Sequence, residues 1–449
     1  MSILLSLFPQ IGPAAHAFWL FFSNGGFLLF VVLTVIVLYK YYIQTINGNF
    51  KANQKWVFLS IKVPRENLTS TLAVEQIYSQ LHAAHKSMSM AELYIEGRVQ
   101  LWYSFEIVSL GGKISFIVRS AEKLRDTVEA AFYAQYPDAE ISEVNDYLEN
   151  FHFDPEDENS EYDIYGTEIK MREPDIFPIK TYKDLEHTSA EIKIIDPIAP
   201  LLEALSKIGP DEFLAVQILA QPLADAEWQE KAQKKAQELL GEEVHHGDGV
   251  LHKLKEALGF LNPVKILLAL LGASGGGGEH TKKENFQRTN KNDLLSMTEV
   301  EKDQVVGIQT KASKPGYLSK IRMMYIAPKE KFDLSRRAAV VGAYRTLSNT
   351  RGNSLKPDQK NVNTKIKYRI SKTLEAPYME WLAGRRKHHF FEGWKLRNYY
   401  IGLPQYILNT EELATLFHLP ITAPTSAADV ARIESKKSQA PVNLPIGDF

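Results

Sequence analysis

Residues 101–118 of this chain read LWYSFEIVSLGGKISFIV. Apolar and polar side chains alternate along it on both sides of the Gly111-Gly112 pair. A period of two places every second side chain on one face of a strand, and paired glycines supply the backbone conformations of a tight turn. The stretch therefore predicts a β-hairpin with one buried face. The apolar positions of that face are Leu101, Tyr103, Phe105, Ile107, Ile114, Phe116 and Val118.

The segments on either side of the hairpin complete a larger unit. Upstream, residues 56–63 have the composition of a strand, and residues 74–81 keep the three- and four-residue apolar spacing of a buried helix face. Downstream, a helix is predicted from Ala121 until Pro137 stops it, and a further strand follows it directly. The order strand, helix, strand, strand, helix, strand is that of a ferredoxin-like (βαββαβ) unit, which we predict over residues 56–146.

A second ferredoxin-like unit is predicted over residues 179–400. A helix begins at Asp196, which is followed by a proline at the first turn. Strands follow at residues 213–220 and 317–326, and another helix begins near Asp333. The predicted fold class is therefore α+β, with two ferredoxin-like units behind an N-terminal apolar segment.

Further segments lie between and around these two units. Residues 147–178 are acidic and interrupted by prolines, which predicts a linker. Residues 225–316 are too many for a plain loop and predict a helical insertion that splits the second unit. Within it, the apolar residues 250–271 form either a helical hairpin packed on the domain or a helix in the membrane interface. Residues 401–449 are predicted to form a C-terminal segment with one short helix.

An uncharged apolar run, AFWLFFSNGGFLLFVVLTVIVLY, occupies residues 17–39. Its length suits a helix that crosses a bilayer. Lys40, Lys51 and Lys55 follow it and no Lys or Arg precedes it, so the positive-inside rule places residues 1–16 outside and the bulk of the chain in the cytoplasm. A cleaved signal peptide is the alternative, but a basic N-terminal region and an A-x-A-like site are missing. We expect a single-pass transmembrane anchor over residues 17–43.

The composition and the motifs exclude several kinds of binding site and catalytic activity. The formal net charge is -2, which argues against a wholly basic nucleic-acid binder. Cysteine is absent, so disulfides, thiolate chemistry and cysteine-ligated metal sites are excluded. The phosphate-binding motif G-x-x-x-x-G-K-[ST] is also absent, and the G-x-S-x-G match at residues 272–276 runs into further glycines, as a linker does. His245, His246 and His252 fit no standard metal-ligand spacing. We expect a protein that is not an enzyme and needs no cofactor.

One segment, residues 365–406, combines basic and aromatic side chains. Three interpretations remain open. The segment grips a single-stranded nucleic acid, with rings stacked on bases; it rests on anionic lipid; or it supplies ordinary core aromatics beside solvated cations. The candidate partner or nucleic-acid surface comprises Trp381, Arg385, Arg386, Lys387, Trp394, Lys395 and Arg397.

The string LNTEELATLFHLP at residues 408–420 opens with Asn409 and Glu412 at capping-box spacing and ends on a proline. With EQIYSQLH at 75–82, FEIVSLGGKISF at 105–116, YAQYPDAEISEV at 133–144 and APVNLP at 440–445, it resembles the membrane-proximal N-terminal region of TraG-like type IV secretion and conjugation coupling ATPases. These strings are structural and carry no catalytic residue.

This resemblance implies a component of a type IV secretion or conjugative DNA-transfer apparatus in the inner (plasma) membrane. The implied role is a scaffold that contacts the lipid bilayer and docks a hexameric P-loop ATPase, and an oligomeric state is compatible with it. In those ATPases the motor domain follows the NLP-like segment. Both a motor on a separate chain and a motor beyond Phe449 fit the present residues. A membrane-tethered protein that binds single-stranded DNA is the alternative function.

Overall fold

The computed structural model describes residues 19–64, 67, 69–149, 160–186, 196–240, 297–365, 368, 372–421 and 429–430. Within these residues the chain forms two units: one contains the N-terminal helix and Met88–Val99, and the other contains the β-sheet with its helices. The predicted apolar segment at 250–271, the G-x-S-x-G match and the three histidines at 245, 246 and 252 lie outside the described residues.

The helices and strands are numbered here in chain order. They are α1 (Phe27–Ala52), β1 (Trp56–Lys62), α2 (Thr71–His82), α3 (Met90–Tyr94), β2 (Tyr103–Leu110), β3 (Lys113–Ala121), α4 (Arg125–Gln135), β4 (Glu140–Val144), β5 (Tyr162–Met171), α5 (Tyr182–Glu186), α6 (Ala199–Ser206), β6 (Phe213–Pro222), α7 (Asp225–Leu239), α8 (Glu299–Ala312), β7 (Gly316–Pro328), α9 (Ser335–Arg345), β8 (Leu355–Pro357), α10 (Lys372–Lys395), β9 (Tyr406–Asn409), α11 (Thr410–Leu416) and β10 (Asp429–Val430).

The N-terminal helix α1 follows a π-helical turn, Phe22–Gly26, in which Gly25 takes a φ of 94°. Glycine adopts this conformation without the steric cost that a Cβ would bring. Helix α1 is the one helix in the described part of the chain that is long and apolar enough to cross a membrane, and its N-terminal position also suits a signal sequence. It runs nine residues beyond the end of the predicted anchor, to Ala52. Most of its large apolar side chains are exposed.

A mixed and mainly antiparallel sheet forms the centre of the second unit. Its strand order is β4-β1-β3-β2-β6-β7-β5-β8, with β9 added to β7 and β10 added to β3. All neighbours pair antiparallel except β10 with β3, and β2 joins β6 through the register Tyr103 opposite Ala220 to Leu110 opposite Phe213. The predicted α+β class and the apolar N-terminal helix are confirmed.

The element order of the sheet repeats. Strand, helix, strand, strand, helix, strand occurs as β1, α2, β2, β3, α4, β4 and again as β5, α6, β6, β7, α9, β8. The order of neighbours also repeats, as β4-β1-β3-β2 and as β8-β5-β7-β6. The two halves therefore meet edge to edge at the β2–β6 pair.

The hairpin that the sequence predicts is confirmed. Strands β2 and β3 pair through Leu110 opposite Lys113, and the turn glycines Gly111 and Gly112 have φ values of 57° and 87°. A Cβ on Gly111 would lie 2.8 Å from the carbonyl oxygen of Pro210. Glycine is therefore required here both by the turn and by the close approach of another backbone segment.

The predicted linker over residues 147–178 is wrong over part of its length, because strand β5 lies within it between β7 and β8. Acidic side chains concealed the strand, since Asp163 and Glu168 interrupt its apolar pattern. Both carboxylates are paired in the structure, Asp163 with Lys387 and Glu168 with Arg322. The Arg322–Glu168 pair is buried, and a buried ion pair allows a charged residue inside a sheet that composition alone would place in solvent. The second half of the sheet thus begins upstream of the predicted boundary at residue 179.

Helices cover both faces of the sheet. On one face α2, α4, α6, α9 and α11 pack in a single apolar core on side chains such as Phe105, Phe116 and Met323. On the other face α10 packs on a smaller core that includes Val108 and Ala215. Helices α7 and α8 pack together through Trp228, Ala232, Val305 and Ile308, which confirms the predicted helix near residues 226–240.

Candidate functional site

Helix α10 divides the predicted basic-aromatic segment between a buried side and an exposed side. Ala383, Phe390, Phe391 and Trp394 are buried, and their spacing of seven, one and three residues places them on one side of the helix. That side packs on β5 at Gly166, where an added Cβ would lie 2.2 Å from Cδ1 of the Phe390 ring. The absence of a side chain on β5 therefore lets the helix lie close to the sheet.

The outward face of α10 carries an aromatic-basic stripe, defined as Tyr378, Trp381, Arg385 and His388. Intervals of three, four and three residues align these side chains on one face, and all of them are exposed. Tyr378 and Trp381 expose 61% and 55% of their surface. Their ring centroids are 6.1 Å apart, and the guanidinium carbon of Arg385 lies 4.9 Å from the centre of a Trp381 ring. Tyr, Trp and Arg are the residue types that dominate binding hot spots.

A groove of about 410 Å³ lies beside the stripe, between α10 and the segments that follow β8 and α10. Arg385, Arg386, His388 and His389 line it together with the apolar Leu382 and Phe390. Glu168 also reaches it but is paired with Arg322, so the net charge of the groove is positive. The groove can accept a partner that carries carboxylate or phosphate groups.

Beneath α10 a row of buried polar side chains crosses the sheet. Glu106, Gln217, Arg322 and Glu168 stand directly opposite one another on β2, β6, β7 and β5. Gln217 Nε2 donates to Glu106 Oε1 at 3.1 Å, Arg322 Nη1 donates to Gln217 Oε1 at 3.3 Å, and Arg322 Nε donates to Glu168 Oε1 at 3.0 Å. Each member of this polar row is satisfied by its neighbour, as buried polar groups must be.

Arg397, which follows α10, closes the row at the β2 end. Its Nε and Nη2 donate to Glu106 at 3.0 and 3.2 Å, and Nη2 also donates to Asp146 at 2.9 Å. Burial by itself raises the pKa of Glu106, but the charge and the hydrogen bonds of Arg397 outweigh burial and lower it. Burial lowers the pKa of Arg397, and the two carboxylates reverse that effect and raise it. The pair is therefore ionised inside the protein.

The structure divides the predicted surface residues. Trp381, Arg385 and Lys395 are exposed, whereas Arg386 and Lys387 are half-buried and contact the carbonyl of Asn363 and the carboxylate of Asp163. Trp394 and Arg397 are buried, and Trp394 Nε1 donates to the Tyr147 hydroxyl at 2.8 Å. These two side chains cannot stack on a base or reach a phosphate. The prediction for them is wrong, because Trp394 continues the buried helix face of Phe390 and Arg397 pairs with the buried carboxylate of Glu106.

The polar row went unrecognised in the sequence. Glu106 alternates with apolar residues in β2, a pattern that ordinarily points a carboxylate to solvent. It instead faces a second layer, since α10 covers this side of the sheet too. A charged residue within an otherwise apolar strand, such as Arg322 in β7, is the one signal available from sequence.

The string that carries the family resemblance has a structural role. Asn409 caps α11 and forms a capping box with Glu412, as predicted. Glu412 also accepts from the backbone N–H of Ile179 at 3.0 Å and pairs with the buried Lys311 at 2.9 Å. The buried His418 contacts Asp196 Oδ1 through Nε2 at 3.0 Å. These bonds tie the segment after β9 to the half of the sheet that contains β5, β6, β7 and β8.

No group of three or more His, Asp or Glu side chains that could hold a metal ion occurs among the residues that the structure describes. The fold and the site together define a mixed α+β protein with one candidate membrane-spanning helix and an exposed aromatic-basic stripe. The model of the family described as "Domain of unknown function (DUF8128)" matches residues 44–426, which is most of the chain, and the protein belongs to that family. No curated protein matches the chain.

Proposed function

We propose that this protein is a membrane-anchored docking component whose partner binds the aromatic-basic stripe of α10. The observation that carries the proposal is the exposure of Trp381 and Tyr378 on a helix whose other side is buried at Ala383, Phe390, Phe391 and Trp394. Large aromatic side chains on a surface, rimmed by polar groups, mark sites of protein interaction. The positive groove beside the stripe adds complementarity for a partner with acidic side chains.

The sheet serves as the rigid platform for this surface. The repeated element order and the repeated order of neighbours support two ferredoxin-like units joined edge to edge, the second interrupted between β6 and β7. The polar row and Arg397 fasten α10 to the platform. A surface held by buried ion pairs loses little conformational entropy when a partner binds.

The anchor is α1, in a single-pass arrangement with the bulk of the chain in the cytoplasm. Its exposed apolar side chains and the lysines at 40, 51 and 55 support this topology. The inner (plasma) membrane follows from the resemblance to TraG-like proteins. That resemblance also supports a type IV secretion or conjugative DNA-transfer apparatus as the machine, and a hexameric P-loop ATPase on a separate chain as the partner.

Single-stranded DNA is the second candidate partner, because Arg385 stacked on an exposed Trp381 beside a positive groove resembles a base-stacking platform. The structure weakens this alternative, since Arg397 is buried and Lys387 is already paired with Asp163. Each phosphate contact to a single strand contributes about −0.7 to the slope of the logarithm of the binding constant against the logarithm of the salt concentration. The few remaining cations therefore predict weak binding that physiological salt abolishes.

Two binding titrations on matched variants test the proposal. Trp381→Ala and Arg385→Ala should each weaken capture of the proposed P-loop ATPase partner by roughly tenfold or more, the effect of a hot-spot residue. Tyr133→Ala removes an exposed aromatic side chain from α4 and should leave capture unchanged. Fluorescence anisotropy with a labelled oligonucleotide should show negligible binding. Salt-sensitive DNA binding that persists at physiological salt and is lost in Trp381→Ala would replace docking with the DNA-binding function.

A further inference from the structure

The three most exposed large apolar side chains in the described part of the chain lie in the unit that contains α1. Ile95 exposes 72% of its surface, Tyr41 69% and Met90 67%. Tyr41 belongs to α1, whereas Met90 and Ile95 belong to the segment Met88–Val99. Apolar side chains exposed to this degree mark a surface that contacts a protein or a membrane.

Hydrogen bonds and ion pairs hold the segment Met88–Val99 together internally. Ser89 and Glu92 form a capping box at the start of α3, and Arg98 pairs with Glu92 at 2.8 Å and with Glu96 at 2.7 Å. These bonds satisfy the polar groups of the segment within itself. Its apolar side chains Met90 and Ile95 stay free on the outside.

Two contacts fix the place where the segment meets the helix. The Tyr42 hydroxyl donates to the carbonyl oxygen of Tyr94 at 3.1 Å. Gly97 has a φ of 65°, and a Cβ there would lie 2.5 Å from the carbonyl carbon of Ile46. The contacts are therefore about one helical turn apart on α1, and the closeness of the second depends on glycine.

The position of these contacts along α1 identifies what surrounds the segment. At a rise of about 1.5 Å per residue, Tyr42 and Ile46 lie roughly 3 and 9 Å beyond Lys40, the first charge after the apolar run. The headgroup zone on each side of a bilayer is roughly 5 to 8 Å thick. The contact at Tyr42 thus lies within the headgroup zone, and the contact at Ile46 lies at its outer edge, when α1 crosses the membrane.

We propose that Met90 and Ile95 insert into the bilayer interface and form a second lipid contact beside α1. The inference rests on the proposed membrane anchoring. The bilayer is the occupant of this surface because the surface is continuous with the exposed apolar side chains of α1, which extend to Tyr41 and Tyr42. This second lipid contact fixes the depth of α1 in the bilayer and its rotation about the helix axis, neither of which a single helix determines by itself.

The chain contains no cysteine, so single cysteines can be spin-labelled without background. Ile95→Cys and Met90→Cys in the full chain, reconstituted in phosphatidylcholine–phosphatidylglycerol liposomes, should give labels that oxygen reaches and a water-soluble nickel chelate does not. The expected depth is about 5–10 Å below the lipid surface. Val35→Cys, in the apolar part of α1, should be deeper, and Val300→Cys on α8 should be fully open to the chelate.

Each other pattern of accessibility overturns the inference in a distinguishable way. If the labels at 90 and 95 are as open to the chelate as the label at 300, while the label at 35 is protected, the interfacial contact is wrong and the anchor stands. If the labels at 90 and 95 are shielded from both oxygen and chelate, protein and not lipid covers them. If the label at 35 is open to the chelate, the membrane anchoring itself fails and the interfacial contact falls with it.

Discussion

The guanidinium of Arg397 lies between the carboxylates of Glu106 and Asp146, and above the rings of Phe58 and Tyr147 at 4.5 and 5.0 Å. It is fully buried, and its φ of 49° is the one positive value outside glycine among the described residues. A planar fork with five donors suits two carboxylates at once, which a lysine ammonium does not. The residue therefore fixes the turn that brings the segment after α10 back onto the sheet.

Arg397→Met should lower the free energy of unfolding by about 3–5 kcal/mol, because it leaves the buried Glu106 carboxylate without its partner. Arg397→Lys should cause a smaller loss in the free energy of unfolding, since it keeps the positive charge but loses the planar set of guanidinium donors. Urea unfolding monitored by tryptophan fluorescence measures the difference. Arg385→Met on the exposed face of α10 is the matched control and should stay within about 0.5 kcal/mol of wild type. Equal stability of the two variants would show that the buried pair is not needed.

The lowered pKa of Glu106 predicts an acid-dependent loss of stability. Burial acts to raise this pKa, but Arg397 lowers it below the ordinary value of 4.5. A carboxyl with a lowered folded-state pKa contributes stability that is present above the unfolded pKa and is lost as the pH falls through the folded pKa. Wild-type stability should therefore decline below about pH 4.5.

Glu106→Gln should be less stable at neutral pH and should lose less on acidification than wild type. Urea titrations at several pH values from about 7 to 3 measure how steeply the free energy of unfolding depends on pH in the variant and in wild type. A remaining slope is expected from Asp196, Asp358 and Glu411, whose pKa values are lowered by ion pairs and hydrogen bonds that outweigh burial. Identical slopes in the variant and in wild type would refute the role of Glu106.

At the scale of elements, the closeness of α10 to β5 depends on Gly166. Gly166→Ala should destabilise the protein by about 1–3 kcal/mol, because the new methyl group collides with Phe390 and pushes α10 outward. Gly342→Ala in α9 is the matched control, since nothing lies within 4 Å of its Cβ position. That change should stabilise the protein by about 0.5–1 kcal/mol through helix propensity. Chemical denaturation measures both, and a neutral Gly166→Ala would mean that α10 does not pack tightly.

The elements that the sequence predicts well are those whose local pattern agrees with their surroundings. The hairpin of β2 and β3 has alternating residues and a glycine turn, and α11 has its cap within four residues. Strand β5 escaped prediction because its charges are paired with Arg322 and Lys387, which lie far away in the chain. Long-range pairing of this kind leaves no periodic signal in the strand itself.

The candidate site shows the same division. Composition located the basic-aromatic segment, since Trp381 and Arg385 do lie together on an exposed helix face. Composition did not separate that face from the buried one, which holds Trp394. Helical spacing from Phe390 and Phe391 would have separated them once the segment was known to be one continuous helix. The burial of Arg397 has no such signal, because its partners Glu106 and Asp146 come from distant parts of the chain.

At the scale of the whole molecule, the unequal distribution of charge around α1 determines the predicted orientation. Lys40, Lys51 and Lys55 follow the apolar run, and residues 1–16 contain no Lys or Arg. Transfer of lysine across a membrane is costly, and lysines near the ends of a span are retained in the cytoplasm. The sheet and the aromatic-basic stripe should then face the same compartment as any cytoplasmic partner.

A fusion of green fluorescent protein to Phe449 should therefore be fluorescent and membrane-bound, and a fusion of alkaline phosphatase at the same point should be inactive. The matched control begins at Gln54, lacks α1, and should give fluorescence in the soluble fraction. Cleavage as a signal peptide would instead release a shortened, exported product with active phosphatase. That outcome would place the stripe outside the cell and would exclude a cytoplasmic ATPase as its partner. Fluorescence in the membrane fraction with an uncleaved chain is the result that single-pass anchoring requires.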